Sequence, residues 1–324
     1  MRKIAALAAK VAVSLGLLYL ALGRVDLGTL AERLQQIEIG WLLAAIALLG
    51  LQVFMIALRW HAIIRQCGAS IPISRVFRYA LIGGFFNQTL PSTVGGDAAR
   101  VWLVARDGAG WSKATYSVLI DRVVGLLILA LIVVVCTPWS FELIRSPLGR
   151  AALVAIGLGC IAGPAVFIAL GYWRWKFFER LWLTRHLAAA AAIAKDIFTS
   201  RQTGGLVAGL SLVVHALTIV VAWLAARSVA APFEIVHSLL LLPPVLLIAT
   251  VPISIAGWGV REGAMVLAFA YAGLPESDGL LVSMLYGIAL FTMGAIGGVV
   301  WLASPSAMRL GEAGAATGAD AQRP

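Results

Sequence analysis

Charged side chains are scarce in this sequence. Asp, Glu, Lys and Arg make up only 12% of its 324 residues, whereas apolar residues make up 61%. Soluble globular chains carry roughly 25% charged residues. The mean hydropathy is +0.95. This composition leaves too little polar surface for a water-soluble fold, which excludes a secreted domain and a cytosolic enzyme. Several apolar runs reach the roughly 20 residues that cross a bilayer as a helix.

Cysteine, histidine and the common catalytic signatures are also sparse or missing. Three cysteines, two of them inside apolar runs, argue against a disulfide framework, and the four histidines are too scattered for a metal site. Neither G-x-x-x-x-G-K-[ST] nor G-x-S-x-G occurs. We therefore expect no metal, no cofactor, no catalytic residues and no ATP-driven step. The net charge of +10 fits anionic headgroups better than nucleic acid, because no basic run alternates with aromatic residues.

Long apolar runs predict an all-α polytopic membrane protein. We expect about six full spans plus two broken, re-entrant helical hairpins in an inverted repeat. The spans are expected near residues 4–22, 40–58, 117–137, 151–171, 205–226 and 280–302, and the broken regions near 76–104 and 239–272. A single transmembrane domain would cover residues 1–303, with repeat halves of about 1–150 and 172–303. A disordered cytoplasmic tail would follow at 304–324.

The distribution of basic residues predicts the orientation. With a cytoplasmic N-terminus and six crossings, 18 of the 25 basic residues lie on the cytoplasmic side, among them Arg59, Arg100 and Arg122. Six lie on the other side, and Lys10 is inside the first span. This imbalance agrees with the positive-inside rule and places both termini in the cytoplasm. The first broken region would then enter and return from the cytoplasm, and the second from outside. If both regions instead crossed completely, eight crossings would leave the termini on the same side.

A short pattern recurs in the two broken regions. Residues 91–100 read PSTVGGDAAR and residues 252–261 read PISIAGWGVR, and both fit P-x-[ST]-[VI]-[GA]-G-x-x-x-R. Backbone freed by proline and glycine cannot face lipid, so each break must face protein or a water-filled cavity. A half-helix that begins there points amide N–H groups into that space, which favours an anion. Alternatively, the glycines serve only close helix packing and the arginines anchor at headgroups.

The candidate site residues follow from these breaks. The arginines lie four residues, about one helical turn, after Gly96 and Gly257. Hydroxyl groups lie at the breaks, and two amides precede the first break. Acidic residues next to the arginines are expected to form ion pairs, and the Asp-Arg pair that opens the third clear span would either face a lipid phosphate or form a salt bridge. The candidate substrate-binding residues are Asn87, Gln88, Thr93, Gly96, Asp97, Arg100, Asp121, Arg122, Ser254, Gly257, Arg261 and Glu262.

Three segments also resemble a known family. NQTLPSTVGGDAAR (residues 87–100), DRVVGLL (121–127) and PISIAGWGVREG (252–263) are similar to signature segments of the lysylphosphatidylglycerol synthase transmembrane, or flippase-like, family. The resemblance covers nearly the whole chain. In bifunctional members this domain is associated with moving an aminoacylated phospholipid between leaflets, and it precedes an aminoacyl-transferase domain. We expect this chain to be a stand-alone member without that domain. The resemblance implies a multi-pass protein of the bacterial cytoplasmic (inner) membrane.

These observations favour a lipid flippase or translocase over an enzyme. It would move an anionic or polyprenyl/hopanoid-type lipid between leaflets, downhill or coupled to an ion gradient. The partner would be a membrane lipid with an anionic or polar headgroup, and not nucleic acid. Two alternatives stay open, namely a non-catalytic scaffold for an envelope-lipid biosynthetic enzyme and an intramembrane lipid-modifying enzyme. A scaffold should tolerate substitution of Arg100 or Arg261, whereas a translocase should not.

Overall fold

The computed structural model describes residues 12, 14–23, 28, 33, 35, 37–90, 94–172, 182–251, 254 and 256–304. Every regular element in this part of the chain is helical, as the sequence predicts, and residues 14–22 are helical as well. From residue 39 onward the helices are α1 (Ile39–Gln66), α2 (Ile73–Thr89), α3 (Gly95–Val104), a π-helical turn (Ala105–Ala109), α4 (Trp111–Leu143), α5 (Pro147–Tyr172), α6 (Trp182–Thr199), α7 (Arg201–Arg227), α8 (Ile235–Ala249), α9 (Val260–Ala272) and α10 (Glu276–Leu302).

Four of these helices are long and apolar enough to cross a membrane. They are α1, α4, α7 and α10, and they contain the spans predicted at 40–58, 117–137, 205–226 and 280–302. Helix α4 is the longest, with 33 residues. The span predicted at 151–171 falls within α5, and only positions 12 and 14–22 of the span predicted at 4–22 are described. Of the predicted tail at 304–324, all but Ser304 lies outside the described residues.

Proline, serine and glycine set several helix boundaries. Pro72 and Pro275 lie immediately before α2 and α10, and Pro147 opens α5, where the missing proline N–H costs nothing. The Ser200 hydroxyl accepts a hydrogen bond from the Thr203 N–H (3.3 Å) at the start of α7. Gly273 ends α9 in the left-handed conformation, with φ of 72°.

The ends of the spanning helices define two sides of the bundle. On what we call the Gln66 side, the Gln66 side-chain amide donates to Thr203 Oγ1 (2.9 Å), and the ammonium group of Lys113 donates to the Gly68 carbonyl (2.8 Å). On the Ser228 side, the Glu38 N–H donates to the Ser228 carbonyl (2.8 Å). Because α1, α4 and α7 each join one side to the other, they cross the full thickness of the bundle.

The first broken region forms hairpin 1, made of α2 and α3. At its base an Arg75–Asp107 ion pair joins the two arms, with 2.5 Å between Nη1 and Oδ1. Midway along the hairpin, a Cβ on Gly83 would lie 2.8 Å from Cγ of Arg100, so the arms are in close contact. Hairpin 1 therefore begins and ends on the Gln66 side, as a segment that enters and returns must.

The second broken region forms hairpin 2, made of α8 and α9, with the opposite orientation. Its base is joined by the stacked rings of Phe233 and Phe269, whose centroids are 4.9 Å apart. The Arg145 N–H donates to the Tyr271 carbonyl at the end of α9 (3.4 Å), next to the end of α4. Hairpin 2 thus begins and ends on the Ser228 side. The two hairpins enter the bundle from opposite sides, which agrees with the predicted inverted repeat.

Helix α10 packs against both hairpins. A Cβ on Gly297 would overlap the carbonyl oxygen of Leu81 in α2, and a Cβ on Gly287 would overlap the guanidinium of Arg261 in α9. A Cβ on Gly294 would lie 3.0 Å from Cγ of Gln88 in α2. Because positions 287 and 294 are two helical turns apart, they fall on nearly the same face of α10.

Candidate functional site: a charged cavity beside hairpin 1

A cavity of about 350 Å³ lies between hairpin 1 and the spanning helices α1, α4, α7 and α10. Thr250, at the tip of hairpin 2, also lines it. Along α1 the lining extends from Leu49 to Arg59, about 15 Å at 1.5 Å per residue, or roughly half the thickness of a bilayer core. Its polar lining residues are Gln52, Arg59, Asn87, Gln88, Arg100, Asp121, Arg122, His215 and Thr250.

Three arginines and two aspartates form one connected network at this cavity. Asp121 on α4 is its centre: Oδ1 accepts from Arg59 Nε at 2.8 Å, and Oδ2 accepts from Arg100 Nη1 at 3.0 Å. Asp97 on α3 extends the network, because Oδ1 accepts from Arg100 Nη2 at 2.5 Å and Oδ2 accepts from Arg122 Nε at 2.6 Å. With three guanidinium groups and two carboxylates, the network has a formal charge of +1.

Further contacts fix the inner arginines in place. The Arg100 guanidinium lies over the Trp60 ring, 4.8 Å from its centroid, a favourable cation–π geometry. Arg59 Nη1 donates to the Ser211 hydroxyl on α7 at 3.1 Å. Helices α1, α3, α4 and α7 are therefore joined by charge-assisted hydrogen bonds in the interior. A single missing charge would leave another one buried without compensation, which is costly.

The tip of hairpin 1 is held by one of the predicted amides. Asn87 Oδ1 accepts a hydrogen bond from the Gly96 N–H at 2.9 Å, so this amide at the start of α3 already has a partner. A Cβ on Gly96 would overlap the Gly83 carbonyl, which explains the glycine at this position. Asp97 lies in the first turn of α3, where a carboxylate is favoured by the helix dipole. The sequence predicts an external anion at the start of α3, but the structure has the Asp97 carboxylate there.

Hairpin 2 encloses its arginine completely. The Arg261 guanidinium donates from Nη2 to Glu262 Oε1 at 2.6 Å and from Nε to the Ser283 hydroxyl at 3.1 Å. It also lies 5.1 Å and 5.5 Å from the ring centroids of Trp258 and Tyr286. Glu262 Oε2 accepts from the Gly259 N–H at 2.6 Å. This cluster is neutral and buried, and Arg261 lines neither the charged cavity nor the apolar cavity described next.

A second, apolar cavity lies beside hairpin 2. Its volume is about 480 Å³, and it is bounded by α5, α8, α9 and the helical segment at 14–22. Leu17, Leu153, Leu241, Val245 and Leu267 are among its lining side chains. The two hairpins therefore border cavities of opposite character, one charged and one apolar.

The structure brings together only part of the predicted site. Asn87, Gln88, Arg100, Asp121 and Arg122 line the charged cavity, with Asp97 and Gly96 directly behind them. The Asp97–Arg100 and Glu262–Arg261 pairs are present as predicted. The second-repeat residues Ser254, Gly257, Arg261 and Glu262 lie in hairpin 2, away from this cavity. Thr93 falls outside the described residues.

Ser254 and Gly257 lie in the turn of hairpin 2, between α8 and α9, and do not line the charged cavity. Ser254 is buried, and its hydroxyl has no hydrogen-bond partner within the described chain. Gly257 has φ of +79° in that turn, a conformation that favours glycine. Arg261 was expected to offer an anion-binding end to the second side of the membrane, but its charge is already matched by Glu262.

Arg59 is the main residue that the sequence did not reveal. In the orientation count it belonged to the cytoplasmic arginines, but it lies buried seven residues before the end of α1 and pairs with Asp121. Arg100 and Arg122 of the same count also lie in this network. Of the two roles left open for the Asp121-Arg122 pair, Asp121 forms a buried salt bridge, and Arg122 reaches the cavity. His215 is a satisfied interior residue, with Nε2 3.0 Å from the Gly125 carbonyl oxygen.

These features define a polytopic α-helical membrane protein with two opposed helical hairpins and an intramembrane charge network. The family described as the lysylphosphatidylglycerol synthase TM region matches residues 7–298. The chain belongs to this family, which associates it with a membrane lipid-related function. No curated protein and no solved structure gives a significant match.

Proposed function

We propose that this protein is a lipid translocase, and not an enzyme, that moves a lipid with an anionic headgroup across the bacterial cytoplasmic membrane. The observation that supports the proposal best is the charged cavity. Ionisable groups are expensive inside a membrane and, where they occur, mark the pathways of ions or polar substrates. Opposed broken helices next to such a cavity are typical of transporters that alternate access between two sides.

Arg122 is the residue to which we assign contact with the headgroup. Its side chain is 40% exposed, against 7% for Arg59 and 9% for Arg100. The network carries one net positive charge, so an anion at Arg122 would neutralise it. Guanidinium groups bind phosphate in a bidentate geometry. The cavity is also within the 300–1,000 Å³ range of ligand sites, which is compatible with a headgroup while the hydrocarbon tails stay in the bilayer.

The proposal is tested by reconstituting the full chain into liposomes that carry an acyl-labelled fluorescent phosphatidylglycerol. The rate at which label moves between leaflets is measured by quenching the outer leaflet. Wild type should accelerate transfer, and Arg122→Gln should reduce the rate by about ten-fold, the equivalent of one charge-assisted hydrogen bond. Arg65→Gln, on the exposed end of α1, is the matched control and should behave as wild type.

The same assay separates the alternatives. A scaffold for a biosynthetic enzyme would not accelerate transfer and would be indifferent to Arg122→Gln. Labelled zwitterionic, polyprenyl-phosphate and hopanoid-type lipids in place of phosphatidylglycerol would define the headgroup class. Equal rates for wild type and Arg122→Gln with every lipid would overturn the assignment of this cavity.

A further inference from the structure

Two carboxylates of the network differ in how firmly they are enclosed. Asp121 has 3% of its side chain exposed, and both oxygens are bound by buried guanidinium groups from α1 and α3. Asp97 has 13% exposed, and one of its two ion pairs is with Arg122, the arginine that is most open to the cavity. Asp121 is thus a fixed part of the interior, whereas Asp97 is at the accessible edge of the network.

The Asp97–Arg122 pair also joins two separate elements. Asp97 belongs to the first turn of α3, at the tip of hairpin 1, and Arg122 belongs to the spanning helix α4. The other oxygen of Asp97 stays within the hairpin, because it binds Arg100 at 2.5 Å. If Arg122 changed partner, Asp97 would still keep one guanidinium, while one of the two ion pairs from hairpin 1 to α4 would be lost.

We propose that Asp97 is a resident competitor for the substrate's anionic group. Without substrate, Asp97 holds Arg122. When an anionic headgroup enters the cavity, Arg122 exchanges the Asp97 carboxylate for the headgroup, and hairpin 1 is then held to α4 by the Arg100–Asp121 ion pair alone. This inference rests on the proposed function, and it assigns Asp97 a positioning role that couples headgroup binding to movement of hairpin 1.

The exchange is electrostatically balanced. Arg122 has a carboxylate partner before the exchange and an anionic partner after it, so the guanidinium is never left in a poorly solvated site without one. The network without substrate carries one net positive charge, and replacing Asp97 by asparagine would raise this to two. Such a substitution should therefore favour an external anion, whereas loss of a merely structural ion pair would not improve binding.

Binding of short-chain phosphatidylglycerol to the purified full chain in detergent tests the competition. Asp97→Asn should bind about three- to ten-fold more tightly than wild type, the range expected for removing one partly exposed competing charge. Arg122→Gln should bind more weakly, and the double variant should resemble Arg122→Gln alone. Asp196→Asn, at an exposed aspartate on α6, should match wild type.

If Arg122→Gln weakens binding but Asp97→Asn does not strengthen it, the proposed competition is wrong and the proposed function stands. If neither variant changes binding, the proposed site itself fails.

A second measurement follows the movement of hairpin 1 directly. Spin labels on Val94→Cys, at the tip of hairpin 1, and Thr115→Cys, on α4, report the distance between these elements in a chain without its three native cysteines. Saturating phosphatidylglycerol should change the distance distribution. The Asp97→Asn version should show the changed distribution without lipid. An unchanged distance in wild type at saturation would overturn the proposed movement of hairpin 1.

Discussion

Hairpins 1 and 2 contain the same ten-residue pattern, and in both an arginine lies four residues, about one helical turn, after the glycine at the sixth position (Gly96 and Gly257). In hairpin 1 this arginine pairs with Asp97, three residues away, and with Asp121 on a spanning helix. In hairpin 2 it pairs with its immediate neighbour Glu262. The position that Asp97 occupies in the first copy is Trp258 in the second, which contacts Arg261 by its ring.

This difference shows how one motif can serve two purposes. Where the compensating charge comes from another helix, the arginine becomes part of an extended network that reaches a cavity. Where the charge comes from the next residue, the arginine is neutralised locally and contributes to packing. The glycines also differ, because Gly96 permits close approach of α3 to α2 while Gly257 permits a positive φ.

The largest effect is expected from Asp121→Asn, in the network of hairpin 1. It removes the carboxylate that binds Arg59 and leaves Arg100 with Asp97 alone, and breaking such a buried pair costs about 3–5 kcal/mol. The free energy of unfolding in mixed micelles should fall accordingly. Glu142→Gln, at an exposed position of the same helix, should leave it unchanged. A small effect of Asp121→Asn would mean that water reaches this network freely.

Arg261→Gln tests the local neutralisation in hairpin 2. Glu262 would keep the Gly259 N–H and Ser283 but lose its guanidinium partner, so the expected loss is at the lower end of the range for a broken buried pair, about 3 kcal/mol of unfolding free energy. The translocation rate per folded molecule should stay near that of wild type, because Arg261 does not line the charged cavity. A loss of rate without a loss of stability would show that the two hairpins share the headgroup site after all.

Gly96→Ala tests the close contact within hairpin 1. The added methyl group would overlap the Gly83 carbonyl, and overpacking of this kind costs about 1–3 kcal/mol. Gly84→Ala is the matched control, since nothing lies within 4 Å of its Cβ position. Thermal unfolding of both variants in detergent gives the comparison. Equal melting temperatures would argue that α2 and α3 separate easily.

Arg122→Gln should have the smallest effect on stability. A partly exposed ion pair contributes about 1 kcal/mol or less, so the unfolding free energy should barely change while translocation falls. This is the reverse of the outcome expected for Arg261→Gln. If both variants lost stability equally, the contrast between an accessible and an enclosed arginine would disappear.

The sequence predicts the helical class and the two hairpins because its signals there are local. Apolar runs, the prolines at 91 and 252 and the glycines after them each act on the residues around them. The role of Arg59 could not be predicted in this way, since it depends on how α1 packs against α4. The enclosure of Arg261 depends likewise on Ser283 and Tyr286, which α10 supplies from more than twenty residues away.

The glycine contacts of α10 link the two hairpins mechanically. Gly287 accommodates the arginine of one hairpin, and Gly294 accommodates a side chain of the other, on nearly the same face of a single rigid helix. A rotation of α10 about its axis would therefore disturb both contacts together. Access to the cavity from one side of the membrane would then be correlated with the packing of the hairpin that enters from the opposite side.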